Sequence, residues 1–556
     1  MMPYATTQAP RSAAHAAVDR GLVVALCVAA LLAWLLVAIP SVQSARTGAN
    51  QFQDDAFYYL VPAKHFLTQG RFTFDGASTT YGFHPLWMAA TIATVTVAGT
   101  GAPPERLVFA LNLVEKLIQG IAVALCIAWF LRERKEGPFA LGYIGIALLL
   151  LCPYFIVFHQ GMETTLAVLL YAAAVRALRS DRLVRLGLML ALLFLCRLDS
   201  GIFVGLPLAI YAAWSRRAQS GRAWAVAPLA IAMIAMPALY LTATGHHVPI
   251  SGAIKSSFPA VTLHSSYFVE PFNIAAMYGW RTLLYGLNVW QCIVLTLLGL
   301  AGVAFAPVSS RDKRDLAMIA FTGAALVANL VLFQKWEKSV DPRYFALPMA
   351  AALFVFVAGV NGAAALAARP RFIARLPIMA VLVAFVLEAW VFATRFEVAA
   401  KAKDPTRDIY LELSNVLPPE AVVAGTDVGA LAFWTGRRTI NLDGVMNDFP
   451  YQDVLRDRKL AEYLRREGVT HIATPLWDAE QTYTARPTEP MYRHQVDADA
   501  THGRPYQCHW YYVHSYVYRV DSDRICLPAS GEVYRRSVGR MGIGEAAFVV
   551  YELPRP

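Results

Sequence analysis

The feature that most constrains this chain is a succession of apolar runs, most of them long enough to cross a bilayer as a helix. The first, Gly21 to Pro40, meets the roughly 20 residues that a spanning helix needs. Further runs lie near 107–131, 138–158, 162–178, 223–243, 283–306, 315–334, 344–367 and 376–394. Between Leu186 and Trp214 a longer run is interrupted by Arg197, Asp199 and Gly201, which reads as two short helices. Arg11 and Arg20 precede the first run and Ser44-Ala45 has the look of a cleavage site. A signal peptide's apolar core is shorter, so an uncleaved first helix is expected. Only 16% of the 556 residues are charged, against about 25% in soluble domains. A wholly soluble protein of this size would lack the charge to cover its surfaces and is excluded.

The formal net charge of +10 invites a nucleic-acid partner, but its distribution argues against one. Residues 395–556 carry 20 Lys+Arg and 22 Asp+Glu, whereas residues 1–394 carry 29 and 17. The basic excess therefore belongs to the apolar part, where it marks cytoplasmic loops. Sixteen of those 29 basic residues fall in five clusters: Arg132/Arg134/Lys135, Arg176/Arg179/Arg182/Arg185, Arg216/Arg217/Arg222, Arg311/Lys313/Arg314 and Arg369/Arg371/Arg375. Placing every cluster in the cytoplasm requires two crossings between successive clusters, which splits the 186–214 run as proposed. It also makes Pro85 to Gly99 a re-entrant or interfacial helix. The expected architecture is an α-helical multi-pass membrane domain over residues 1–394 with about 11 crossings and a cytoplasmic N-terminus. Residues 395–556 then form a domain outside the cytoplasm.

That tail reads as a small α/β domain. Val422-Val423-Ala424, Thr439 to Leu442 and Val469 to Thr474 have strand patterns, as does the aromatic stretch Trp510 to Tyr518. Tyr451 to Glu467 has a charged, amphipathic helical pattern. Five of the seven cysteines lie in or beside apolar runs, while Cys508 and Cys526 in the tail are able to pair in an oxidising compartment. No C-x-x-C spacing and no repeat is present.

With this topology the outward loops are few, and their contents are unusual. The first contains Asp54-Asp55 followed at once by Ala56-Phe57-Tyr58-Tyr59, then Tyr81-Gly82-Phe83-His84-Pro85. Adjacent carboxylates repel, so the pair suits a cation or one base with a raised pKa; the plainer reading is a solvated charge or a helix cap. His159-Gln160-Gly161-Met162-Glu163 lies at the next outward turn, where Glu163 is either a site residue or a helix N-terminal acid. Arg197 and Asp199 lie between short apolar helices, where an ionised group seeks a partner or a wet cavity. Lys255, among Ser251, Gly252, Ser256 and Ser257, is suited to a phosphate. Arg343, beside Tyr344 in the last outward loop, offers a two-pronged fork for phosphate or carboxylate, or snorkels to the interface.

These motifs resemble the bacterial polytopic GT-C glycosyltransferases. The resemblance rests on Asp54-Asp55, Gly82 to Trp87, Gly161 to Thr165, Arg197 to Gly201, Ser251 to Ser256, Thr426 to Ala430 and Asn441 to Gly444. It is nearest the branch of arabinofuranosyltransferases and mannosyltransferase-like membrane proteins. Tyr81 departs from the Asn expected before Gly-Phe-His-Pro, and Leu198 from a common Pro. The resemblance implies an inner-membrane hexosyl- or pentosyltransferase that moves sugar from a polyprenyl-phosphate donor to an envelope glycan, lipid or protein. It implies an inverting mechanism with Asp54 or Asp55 as general base, Asp54 favoured. Lys255, Arg343 and Tyr344 would hold the donor phosphate, and His84, Glu163, Arg197 and Asp199 would line the substrate pocket. Some members of the class use a divalent metal, magnesium or manganese, for which Asp54, Asp55 and Glu163 are the candidate ligands. The tail is expected to be an accessory domain whose Trp434, Trp477 and Trp510 either stack on sugars or pack a core.

Two other classes compete. A flippase of lipid-linked saccharides would carry repeats and an ionisable path across the bilayer. A non-catalytic assembly protein would have no need of Asp54 and Asp55.

Overall fold

The computed structural model describes residues 28–36, 38–43, 52–134, 138–151, 160–256, 309–333, 344, 346–366, 405–457, 459–477, 495–498, 505–509, 525–528, 532–541 and 544–553. A helical bundle continues into a small α/β tail. The bundle contains α1 (Val28–Gln43), α2 (Asp54–Gln69), α3 (Pro85–Ala98), α4 (Pro104–Glu133), α5 (Leu141–Leu151), α6 (Thr164–Arg179) and α7 (Leu183–Cys196). It continues with α8 (Leu198–Ser215), α9 (Ala227–Thr244), the short α10 (Ile250–Ser256), α11 (Ser310–Phe333) and α12 (Ala346–Leu366). Among the described residues α4, α8 and α9 are long and apolar enough to cross a membrane, and α5 and α7 are apolar but shorter. The expected crossings at 283–306 and 376–394 lie outside the described residues.

Two local features follow from the sequence. α3 starts with Pro85 in its first turn, where the missing N–H costs nothing. Its 14 residues extend about 21 Å, short of a hydrocarbon core of about 30 Å, as do the 14 of α7. The 186–214 run is indeed two helices, α7 and α8. Arg197 is extended between them (φ −148°, ψ 108°), and a wider π-turn at Gly201–Gly205 loosens the start of α8.

The tail contains α13 (Pro405–Val416), β1 (Val422–Gly425), α14 (Gly429–Thr435), β2 (Arg438–Asn441), α15 (Phe449–Arg456), α16 (Leu460–Arg466) and β3 (His471–Trp477). After these come β4 (Gln495–Ala498), β5 (Pro505–His509), β6 (Ile525–Pro528), β7 (Glu532–Met541) and β8 (Gly544–Glu552). One sheet has the order β2-β1-β3-β8-β7 and the other β4-β5-β6. β1 is parallel to both β2 and β3, and β8 is antiparallel to β3 and β7. Antiparallel pairing of β5 with β6 sets Cys508 opposite Cys526. The single helix expected over 451–467 is two. Asp457 and Lys459 N–H groups bond back to Asp453 and Val454, closing α15 before α16 begins. Both helices bury residues in one core (Tyr451; Leu460, Tyr463, Leu464), so the amphipathic pattern runs through the turn and hides it. The strand expected over 510–518 lies outside the described residues.

Bundle and tail share an apolar core. Phe57 of α2 packs against Phe433 and Trp434 of α14, with centroids 5.0 and 6.4 Å apart, alongside Val423, Leu431 and Met446. A buried ring such as Phe57 contributes roughly 1.5–3 kcal/mol, so this contact anchors the tail. Trp434, 4% exposed, is core rather than a sugar platform; the Trp477 side chain and Trp510 lie outside the described residues. Ion pairs Arg407–Glu105 (2.7 Å) and Arg438–Asp75 (3.3 Å) flank the seam.

Candidate active site

At the seam Asp54 and Asp55 occupy the first turn of α2, where the helix dipole favours acids. Asp54 does not cap its own helix. Its Oδ2 accepts the Gly429 N–H at 2.9 Å and its Oδ1 the Ala430 N–H at 2.7 Å. These N–H groups open α14, whose preceding residue Val428 supplies no side-chain cap; a helix start leaves such donors without backbone partners. Asp54 thus caps a tail helix from across the seam. Gly429 permits the approach, since a Cβ there would collide with the Asp54 backbone and lie 3.0 Å from its carboxylate. Burial pushes the Asp54 carboxyl from 3.8 up to about 7, outweighing the two N–H bonds that favour its charged form; the Asp55 charge pushes the same way.

One turn on, Tyr58 meets the end of β2. The Asn441 amide donates to Tyr58 Oη and to Asp443 Oδ2, both at 2.9 Å, and Tyr58 donates to Asp443 at 3.3 Å. Asp443 also accepts the Val445 N–H (3.0 Å) and the Asp427 N–H (3.3 Å). Burial raises its pKa against those bonds. Asp427, exposed and at φ +49°, completes this acidic rim.

A second constellation gathers the expected pocket residues. Glu163, 2% exposed, accepts the Tyr59 hydroxyl at 3.0 Å. Its other oxygen lies 3.6 Å from Arg197 Nη1 and 3.7 Å from His84 Nε2. Arg197 also pairs with Asp199 at 3.4 Å and lies 5.1 Å from the Tyr344 ring centroid. His84, Glu163, Arg197 and Asp199 therefore converge, and Tyr344 joins them. Arg197 is balanced by two carboxylates, so its charge is already spent within the protein.

Lys255 lies on α10, whose Ile250 and Ile254 pack against Val445 and Phe449 of the tail; its side chain, like Arg343 and His159, lies outside the described residues. Among the described residues no three His, Cys, Asp or Glu side chains form a metal-ligand group. Asp54 is turned to backbone N–H donors and Glu163 toward Tyr59 and Arg197, so the candidate metal ligands do not converge as a set. Tyr58, Tyr59, Asn441 and Asp443 have roles that sequence reading missed, although the aromatic pair and the tail motif stood in plain view.

No protein-family model and no curated protein matches the sequence. Among solved structures, ArnT from Cupriavidus metallidurans is similar in its apo state, with TM-score 0.48, 16% identity, 85% of this chain and 96% of that one. The same protein bound to undecaprenyl phosphate gives TM-score 0.50 at 14% identity over 86% and 96%. The Archaeoglobus fulgidus oligosaccharyltransferase tethered with an acceptor peptide gives 0.43 at 11% over 80% and 69%. At 14% identity the undecaprenyl-phosphate-bound structure speaks to fold alone. This chain shares its fold with that undecaprenyl-phosphate-bound ArnT structure.

Proposed function

We propose that the protein is a multi-pass inner-membrane glycosyltransferase that takes sugar from a polyprenyl-phosphate donor and transfers it to an envelope glycan, lipid or protein. The seam between bundle and tail faces outward in this reading, and residues 395–556 form an extracytoplasmic domain. Asp54 is the general base. Its carboxylate removes the acceptor hydroxyl proton as that oxygen bonds to the anomeric carbon. The carbon–oxygen bond to the lipid phosphate breaks on the opposite face, its electron pair leaves with the polyprenyl phosphate, and configuration inverts, as with water in inverting glycosidases. Lys255, Arg343 and Tyr344 receive the phosphate, which needs cationic partners rather than a proton, while Arg197 holds Glu163 and Asp199 in place. No step is assigned to a metal.

The observation that carries this reading is the state of Asp54: two backbone N–H groups orient it, and its pKa of about 7 suits a base working near neutral pH. A relative of similar fold bound to undecaprenyl phosphate supports the lipid-linked donor. The test is transfer from a polyprenyl-phosphate sugar by purified protein, with Asp54→Asn and Asp55→Asn measured separately. Full transfer by both variants at normal protein level would overturn the enzyme reading. Loss in Asp55→Asn alone would move the base one residue along.

A further inference from the structure

α4 crosses the bundle carrying Asn112, Glu115, Lys116 and Gln119 on one face, all 1–2% exposed. The catalytic proposal uses none of them, and a buried charge pair in a membrane helix calls for a reason. Lys116 Nζ lies 3.3 Å from Glu115 Oε1. The other oxygen, Oε2, accepts the N–H of Gly161 at 2.8 Å. Around it Asn112 donates to Ser41 (3.2 Å), Gln160 donates to the same hydroxyl (3.2 Å), and the Lys116 carbonyl accepts the Trp34 indole N–H (3.2 Å).

Gly161 is gripped from three sides. Glu115 holds its N–H, and the Trp87 indole of α3 donates to its carbonyl at 2.9 Å. Its Cα faces α2, where a Cβ would come 2.7 Å from Ala56. At φ +76° the residue turns the chain left-handed, a conformation open to glycine at little cost. Two residues later Glu163 meets Tyr59, His84 and Arg197. We infer that Glu115, charge-balanced by Lys116, is a positioning residue: it holds the Gly161 turn and through it aims Glu163 into the pocket. The catalytic side of this inference rests on the proposed function.

The test removes the charges while keeping or deleting the acceptor. Glu115→Gln/Lys116→Met leaves an oxygen for the Gly161 N–H, and Glu115→Leu/Lys116→Met leaves none. Hydrogen exchange of the peptide covering 160–165 is read in detergent-purified full-length protein, together with kcat and KM for the polyprenyl-phosphate sugar. The leucine variant should exchange about tenfold or more faster and lose about tenfold or more in kcat with KM nearly unchanged, since small misplacements at a reacting site are costly. The glutamine variant should restore both. Wild-type exchange in the leucine variant, or equal defects in the two variants, overturns the inference. Should wild-type protein transfer no sugar, the proposed function fails, and the exchange measurement still decides the placement of the turn.

Discussion

Two sets of aspartates, one at each end of the bundle, keep different company, although Asp75 and Asp199 at the tail end also meet arginines. At the end away from the tail Asp315, fully buried, meets Arg216 at 3.3 Å and the Tyr211 hydroxyl at 2.7 Å. Asp181 takes Arg216 (3.0 Å) and Arg311 (2.7 Å), and Asp312 pairs with Arg179. Each of those three carboxylates is matched by a guanidinium. At the tail end Asp54 and Asp443 are held by backbone N–H, amide and phenol groups, none of them charged. At Asp54 burial outweighs the donors and pushes the carboxyl up to about 7. The first set ties helices together; the second, in the proposed reading, holds the base.

The comparison breaks most sharply at Asp54. Asp54→Asn should lower transfer by about 10²–10⁴-fold, with Asp315→Asn lowering the amount of folded protein and leaving kcat per folded molecule intact. A large loss of kcat per folded molecule in Asp315→Asn would erase the distinction. Smaller in effect, Gly429→Ala keeps the carboxylate but pushes α14 away from it; about a tenfold loss of kcat is expected. Smaller again is the pH response. A base must be ionised, so kcat/KM should rise with pH to a plateau, with a midpoint near the Asp54 value of about 7. A midpoint near 4 would instead indicate an ordinary carboxylate. The smallest effect concerns the tail's own sheet, where the facing positions of Cys508 and Cys526 predict a linked peptide pair in a non-reducing digest and unchanged transfer after reduction.

Much of this was legible in the sequence, and for definable reasons. Apolar run length located α4, and a charge inside a run located the break at Arg197. The strands β1 and β2 were readable because short β-branched segments flanked by turn residues are a local signal. His84, Glu163, Arg197 and Asp199 were singled out because charged and polar residues between apolar runs stand out, and the structure brings them together. The partner of Asp54 was not legible, since backbone N–H groups of Gly429 and Ala430 carry no side-chain signature and lie 375 and 376 residues away. Glu115 and Lys116 were readable in principle. Two ionisable residues inside an apolar run deserve a question at once, but one run-wide label, 107–131, absorbed them.

The 375 residues between Asp54 and Gly429 have a consequence for biosynthesis. A ribosome adds about 5–20 residues per second, so Asp54 would be made roughly 20 to 75 seconds before the helix it caps. Until α14 has been made and packed against α2, the carboxylate lacks the donors that aim it and the covering that raises its pKa. A chain ending short of α14 therefore leaves Asp54 without its two backbone donors, and the geometry of the seam is set only once that tail helix exists.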